Sequence, residues 1–303
     1  MTRRTRLAVV LTTSLLAAGG LAGCNDSGDD QSPASGPTKH HTRATDGGAT
    51  DDAGDDGGSD DSGDTTTVPV YFVGDTPQGT RLYREFRKVA ADGSAGAALS
   101  LAASGDALDP DYGTLLPAGT FGDITYDEQI VVPLPDDSWT RLPDGMSERD
   151  ALMAIQQIVY TVQGVLQRRS PVVFTDGDGN QTQIFGVASE DGFSEADPIR
   201  TLALMSVTSP ETDQSVSGTL HASGVGSSFE ANVVWRIQDA GGDTVKDGSA
   251  TAAGWMDKLY PWSTDIDVSD LDAGTYTFVA STDDPSGGEG AGPTVDTKEF
   301  TVG

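Results

Sequence analysis

Between Asn25 and Thr66 the chain contains no Val, Ile, Leu, Met, Phe, Trp or Tyr, and this tract decides where folding can occur. It is built of Asp, Gly, Ser, Thr and Pro, with an acidic run from Asp51 to Asp64. Without large apolar side chains to bury, nothing offsets the entropy lost on ordering. The tract is therefore expected to be a disordered, self-repelling tether, with an r.m.s. reach of about 35–40 Å. The capacity to fold is confined to the residues C-terminal to the tract, about 235 of them, enough for two domains of ordinary size. The formal net charge of the chain is −29. Nucleic acid and anionic lipid surfaces would repel such a chain. His40 and His41 lie within the tract, where a metal-binding pair would have no fixed geometry.

Ahead of the tract, Arg3, Arg4 and Arg6 precede a mostly apolar stretch from Leu7 to Ala22. That stretch is too short for a comfortable membrane span of about 20 apolar residues. It has the form of a signal peptide over residues 1–23. The stretch ends in Leu21-Ala22-Gly23-Cys24, which resembles the lipobox of bacterial lipoproteins, whose cysteine receives a diacylglyceryl group. Cys24 is the only cysteine, so it has no partner for an internal disulfide. Two acyl chains anchor a protein stably where one does not. The resemblance implies a lipid-anchored protein on the extracytoplasmic face of the cell membrane, with residues 24–66 as its acidic linker. Removing the leader takes away three arginines and no acid, which deepens the negative charge by three.

Residues 67–188 mix strands and helices. Val68–Val73 and Leu82–Val89 read as strands, and Ala95–Ala103 as a short helix. Two short strands are expected around Asp127-Glu128. Ser147 and Asp150 have capping-box spacing, and Leu152, Ile155, Val159, Val162 and Leu166 follow as one apolar stripe. Val172–Thr175 and Gln183–Gly186 flank a turn, Asp176 to Asn180. Val70-Tyr71-Phe72, Leu116-Pro117-Ala118-Gly119-Thr120, Gln157-Ile158-Val159-Tyr160-Thr161 and Pro171–Gly177 resemble the GerMN domain of sporulation and germination lipoproteins. The resemblance implies an α+β domain that acts in assembly or protein–protein contact.

After a connector, 189–203, residues 204–303 read as an all-β sandwich of short strands between turns. Phe229, Ala231, Val233, Trp235 and Ile237 alternate with Glu230, Asn232, Val234 and Arg236, a pattern that predicts a strand with one buried face. Asp272 to Tyr276 has the form of a tyrosine corner, with Phe278 and Ala280 beyond it. Ser209-Pro210, Val216–Thr219, Phe229–Val233 and Asp284–Gly290 resemble Gmad2, an immunoglobulin-like module found beside GerMN.

The residues offer little chemistry. Asp176, Asp178 and Asn180 match the first three ligand positions of an EF-hand loop, but Gln181 and Val187 stand where Gly and Glu belong. The acidic loop Asp283–Gly290 is either a cation site or a solvated turn. His221 lies in an expected strand, and no nucleophile elbow accompanies it. Trp255, Tyr260 and Trp262 fall within eight positions. Either they are exposed together and stack on sugar rings, or Trp262 fills the sandwich core. No enzyme, cofactor or metal is expected. The expected role is that of an envelope lipoprotein in protein–protein contact or assembly, linked through the resemblance to sporulation, germination or cell-wall processes. Its expected partners are envelope proteins or the cell wall. The alternative is a receptor for cell-wall glycan or peptide.

Overall fold

The computed structural model describes residues 64–284 and 289–303. The leader, Cys24, nearly all of the acidic tract with His40 and His41, and 285–288 of the acidic loop lie outside the described residues. Those described belong to one compact unit, Asp60–Gly303. The unit is mostly β-sheet with few helices. Among the described residues no helix is long and apolar enough to cross a membrane.

The first half opens with a long antiparallel hairpin of β1 (Thr65–Thr76) and β2 (Gly79–Ala90), in which Tyr71 lies opposite Arg84 and Val73 opposite Leu82. Both strands outrun the apolar segments that announce them, because pairing continues through polar residues once the register is set. The period-two alternation makes the hairpin two-sided. Val70, Phe72 and Tyr83 join the main core, whereas Val73 and Leu82 join a smaller cluster with Tyr160. Behind the hairpin pack α1 (Ser94–Ser104) and α2 (Glu148–Leu166). Ser147 caps α2, accepting the Asp150 N–H at 3.1 Å and donating its hydroxyl to the Asp150 carboxylate at 2.7 Å.

The buried face of α2 carries Ala151, Ala154, Ile155, Ile158, Val159 and Val162. Leu152, expected to begin the stripe, is 52% exposed. At 3.6 residues per turn it lies roughly 120° round the helix from Ile158. Gln157 is fully buried on this helix and bridges the hairpin to the 114–115 loop. It donates to the Tyr71 carbonyl at 2.9 Å and accepts the Leu115 N–H at 3.3 Å.

A small sheet completes this half, in the order β3 (Thr125–Tyr126), β4 (Ile130–Pro133), β5 (Val172–Thr175), β6 (Gln181–Thr182). Strands β4 and β5 are parallel, with α2 as the crossover. The strand expected at Gln183–Gly186 instead pairs at Gln181–Thr182. Phe185 then turns back at φ 51° and stacks on the buried Trp139, 5.4 Å between centroids. The chain 189–203, expected as a connector, packs along this half. Phe193 bridges Val172, and the Tyr160 hydroxyl donates to the Ala196 carbonyl at 2.7 Å. Its last turn is α3 (Pro198–Thr201).

The second half forms two sheets. Their strands are β7 (Met205–Ser209), β8 (Gln214–Val216), β9 (Thr219–Gly226), β10 (Asn232–Gln238), β11 (Thr244–Thr251), β12 (Tyr260–Asp267), β13 (Gly274–Thr282) and β14 (Val295–Val302). One sheet runs β12-β9-β7 and the other β11-β10-β13-β14-β8. Trp235 on β10 and Trp262 on β12 each stack on Phe278, 6.4 Å between centroids. Glycines make room at both indoles: a Cβ at Gly248 would meet the Trp235 ring at 2.5 Å, and one at Gly224 would meet the Ser206 carbonyl oxygen closer still and the Trp262 ring at 2.8 Å. The Tyr276 hydroxyl donates to the Asp272 carbonyl at 2.9 Å, closing the expected corner.

Phe229 and Ala231 depart from the expected strand. They lie in a 3-10 turn in which Glu230 and Ala231 have positive φ, and β10 starts only at Asn232. Phe229 is 40% exposed as a result.

Candidate functional site

Strand β14 sends Asp296, Lys298, Phe300 and Val302 to one face, all buried. Phe300 and Val302 meet the sandwich core, but Asp296 and Lys298 meet the first half. Lys298 Nζ contacts the Asp109 carboxylate, lies 2.8 Å from the Tyr112 hydroxyl and 3.5 Å from Asp296 Oδ1, and sits 4.2 Å from the Tyr112 ring centroid. The Tyr112 hydroxyl donates to Asp296 Oδ1 at 2.7 Å, and Asp296 Oδ2 accepts the Val207 N–H at 2.5 Å. Glu85, also buried, accepts the Leu108 and Asp109 N–H groups and holds the loop that carries Asp109. Burial raises the pKa of the Asp296 carboxyl, an effect that the Lys298 ammonium opposes. Burial and the nearby Asp296 charge push the Tyr112 hydroxyl well above the ordinary tyrosine range. These groups form a buried polar latch between the halves. Nothing in the spacing of Asp109, Tyr112, Asp296 and Lys298 marks them as partners, since they meet only when β14 docks on the 105–112 loop.

Beside the latch, a cleft of about 370 Å³ lies along the junction. Leu202 forms an isolated bridge with Leu82, and the Ala203 N–H donates to the Leu82 carbonyl at 2.9 Å, which ties the end of the 189–203 segment to β2. The first half contributes Tyr71, Leu82, Arg84, Tyr160, Arg169 and Glu195 to the cleft, and the second contributes Ser206, Val225, Lys258 and Leu259. Tyr71 and Tyr160 lie 5.4 Å apart as a tilted ring pair. Burial raises the pKa of the Tyr160 hydroxyl. Arg169 pairs closely with Glu195 at the surface. Arg84 is half-buried, with its guanidinium 4.7 Å over the Phe86 ring. Its Nε is buried and has no hydrogen-bond partner among the described residues. Lys258 is exposed and lies 5.0 Å over the Tyr260 ring. No sequence pattern singled out Arg84. A hairpin arginine reads as solvated until a second sheet covers it.

The candidate aromatic residues do not share one surface. Trp262 is 3% exposed and faces the sandwich core, because alternation along β12 turns it inward. Trp255 is 36% exposed and meets Phe229 edge to face at 5.1 Å. Tyr260 is half-buried and donates its hydroxyl to Asp257 at 2.8 Å. Asp176 spends its carboxylate inside its own turn, accepting the Asp178 and Asn180 N–H groups, and those bonds lower its pKa. His221 is exposed on β9 and pairs with Asp265 across the strand pair at 2.6 Å. In the acidic loop, Asp283 accepts from Asn232 at 3.2 Å and donates its N–H to Ser228. Among the described residues no group of three or more His, Cys, Asp or Glu side chains is placed to hold a metal ion.

Comparison with known proteins agrees with the order of modules. Residues 69–182 match the Germane family, described as sporulation and spore germination. Residues 204–289 match Gmad2, described as the immunoglobulin-like domain of bacterial spore germination. The two matches place a segment similar to the sporulation and germination family ahead of one similar to the immunoglobulin-like family. Among solved structures, CopC from Methylosinus trichosporium OB3b is 21% identical over 32% of this chain and 92% of that chain, with a TM-score of 0.23. The tandem GerMN domains of the sporulation protein GerM from Bacillus subtilis are 14% identical over 68% of this chain and 64% of that chain, with a TM-score of 0.34. No curated protein matches the chain.

Proposed function

We propose that this chain is a non-catalytic envelope lipoprotein of sporulation or germination, held on the outer face of a membrane through lipidated Cys24 and acting as a protein–protein interaction or assembly module. The observation that carries the reading is the union of the two matched modules in one body through Lys298, Asp109, Asp296 and Tyr112. A buried ion pair is often no more stabilising than an apolar contact of equal volume. What this latch supplies is a fixed orientation of one module against the other, as a partner that touches both would require. The anchor is supported by Leu21-Ala22-Gly23-Cys24 and the acidic tract behind it.

The test is cross-linking of the tagged full chain in sporulating and germinating cells of its native host, beside a deletion strain. Recovery of the same envelope proteins in repeated experiments, with weaker recovery from a Lys298→Met strain, is the expected result. A deletion strain that sporulates and germinates normally would refute the role. Cys24→Ser should abolish partitioning into detergent; unchanged partitioning would refute the anchor.

One observation favours a second reading, that of a cell-wall receptor. Trp255 is 36% exposed and lies beside the exposed Phe229, a pair of aromatic rings of the kind that stacks on sugar. Saturable binding to peptidoglycan that disappears in Trp255→Ala would support it.

A further inference from the structure

We propose that the junction cleft binds a small organic carboxylate with an apolar body, anchored by Arg84. The surrounding chain is strongly acidic, yet the cleft gathers Arg84, Arg169 and Lys258 against a single acid, Glu195, which Arg169 already neutralises. Arg84 and Lys258 have no ion-pair partner among the described residues. Arg84 is the more telling of the two. A guanidinium withdrawn from water normally recovers the loss through hydrogen bonds to carboxylate or carbonyl oxygens. Here Nε is buried with no acceptor, and the nearest compensation is the Phe86 ring. The terminal N–H groups are not closed off in this way, and an acceptor held in the cleft that Arg84 lines would meet them.

The geometry of the donor selects the class of ligand. A guanidinium offers paired N–H groups that match the two oxygens of a carboxylate. One guanidinium balances one negative charge. A phosphate dianion would call for a second cation, and Lys258, which lines the same cleft, is exposed over the Tyr260 ring, so inorganic phosphate is the competitor to be tested. Tyr71, Tyr160, Leu82 and Leu202 line the cleft with aromatic and aliphatic surface for the body of the ligand. The volume of about 370 Å³ falls within the range of roughly 300–1,000 Å³ common to small-molecule sites. Both halves line the cleft, so a bound ligand would also stabilise their docking.

The site is tested by calorimetric titration of the full chain at low salt. N-acetyl-phenylalanine serves as the probe and N-acetyl-phenylalaninamide as its uncharged twin. The acid should bind saturably and the amide at least tenfold more weakly. Arg84→Gln should reduce affinity for the acid to that for the amide, and Arg84→Lys should retain part of it, since charge survives but paired bonding does not. Equal affinity for acid and amide would overturn the proposal. So would full affinity for the acid in Arg84→Gln with an unchanged melting temperature. Inorganic phosphate binding more tightly than the acid would overturn the assignment to carboxylates. If Arg84→Gln does not fold, the comparison of acid with amide in the unaltered chain, together with Arg84→Lys, decides the matter. The assembly role of the two docked modules does not depend on the outcome.

Discussion

Replacing Lys298 by Met would strip the ammonium from between two carboxylates while leaving an apolar stem of similar length in the same space. Asp109 is 2% exposed and Asp296 3%, so neither regains water when the charge is lost. Removing one partner from a buried pair costs about 3–5 kcal/mol. For a unit of this size each kcal/mol lowers the melting temperature by about 2–4 °C, which sets the expected fall at about 6–20 °C. The deficit should depend on pH with a definite sign. Burial already raises the pKa of Asp296, and losing Lys298 removes the attraction that opposes that rise. A carboxyl with a raised folded pKa contributes stability at low pH that is lost as pH rises through that value. The variant should therefore approach the unaltered chain as the pH is lowered from 7 toward the ordinary aspartate value, and differ most at neutrality. Asp109→Asn in the Lys298→Met background should restore part of the loss by removing one uncompensated charge. Urea unfolding followed by tryptophan fluorescence and circular dichroism at pH 7 and 5 measures all of this. Every described tryptophan except Trp139 lies in the second half, so a latch that uncouples would separate the two signals. A loss below about 1 kcal/mol, or a deficit that ignores pH, would refute the reasoning.

Three further outcomes are expected. Ser147→Ala removes the acceptor for the Asp150 N–H at the start of α2 and should cost about 1 kcal/mol, read as a small drop in the urea midpoint. Ile158→Ala on the buried face of α2 should cost about 2–5 kcal/mol, while Leu152→Gln on its exposed side should stay within about 0.5 kcal/mol in the same assay. Gly248→Ala drives a methyl group into the Trp235 indole and should cost about 1–3 kcal/mol, with a shifted near-ultraviolet circular dichroism band as its signature.

Much of the local structure is written in local residues. The hairpin follows from alternation in Val68–Val73 and Leu82–Val89, and α2 from the Ser147 cap and its apolar spacing, because both patterns act over a few residues. The tyrosine corner and the inward face of β10 from Val233 onward are equally legible. The errors arise where a pattern runs past its element. Leu152 fits a spacing but misses the face, and Phe229 continues an alternation that the backbone has already left through two residues of positive φ. The pairing of Phe185 with Trp139, and of Trp235 and Trp262 with Phe278, needs segments far apart in the chain to meet.

The candidate site marks the division most clearly. Composition and spacing alone led to the expectation of an acidic tract without a core of its own, followed by a segment of mixed pattern and then by an alternating β segment. Those conclusions rest on periodicity and on the absence of apolar side chains, which neighbours in the chain determine. That Asp109 and Lys298 share a buried pocket, and that Arg84 lies in a cleft rather than in water, was decided by docking one half on the other. A charge becomes a latch or an anchor only when a surface from elsewhere in the chain takes its water away.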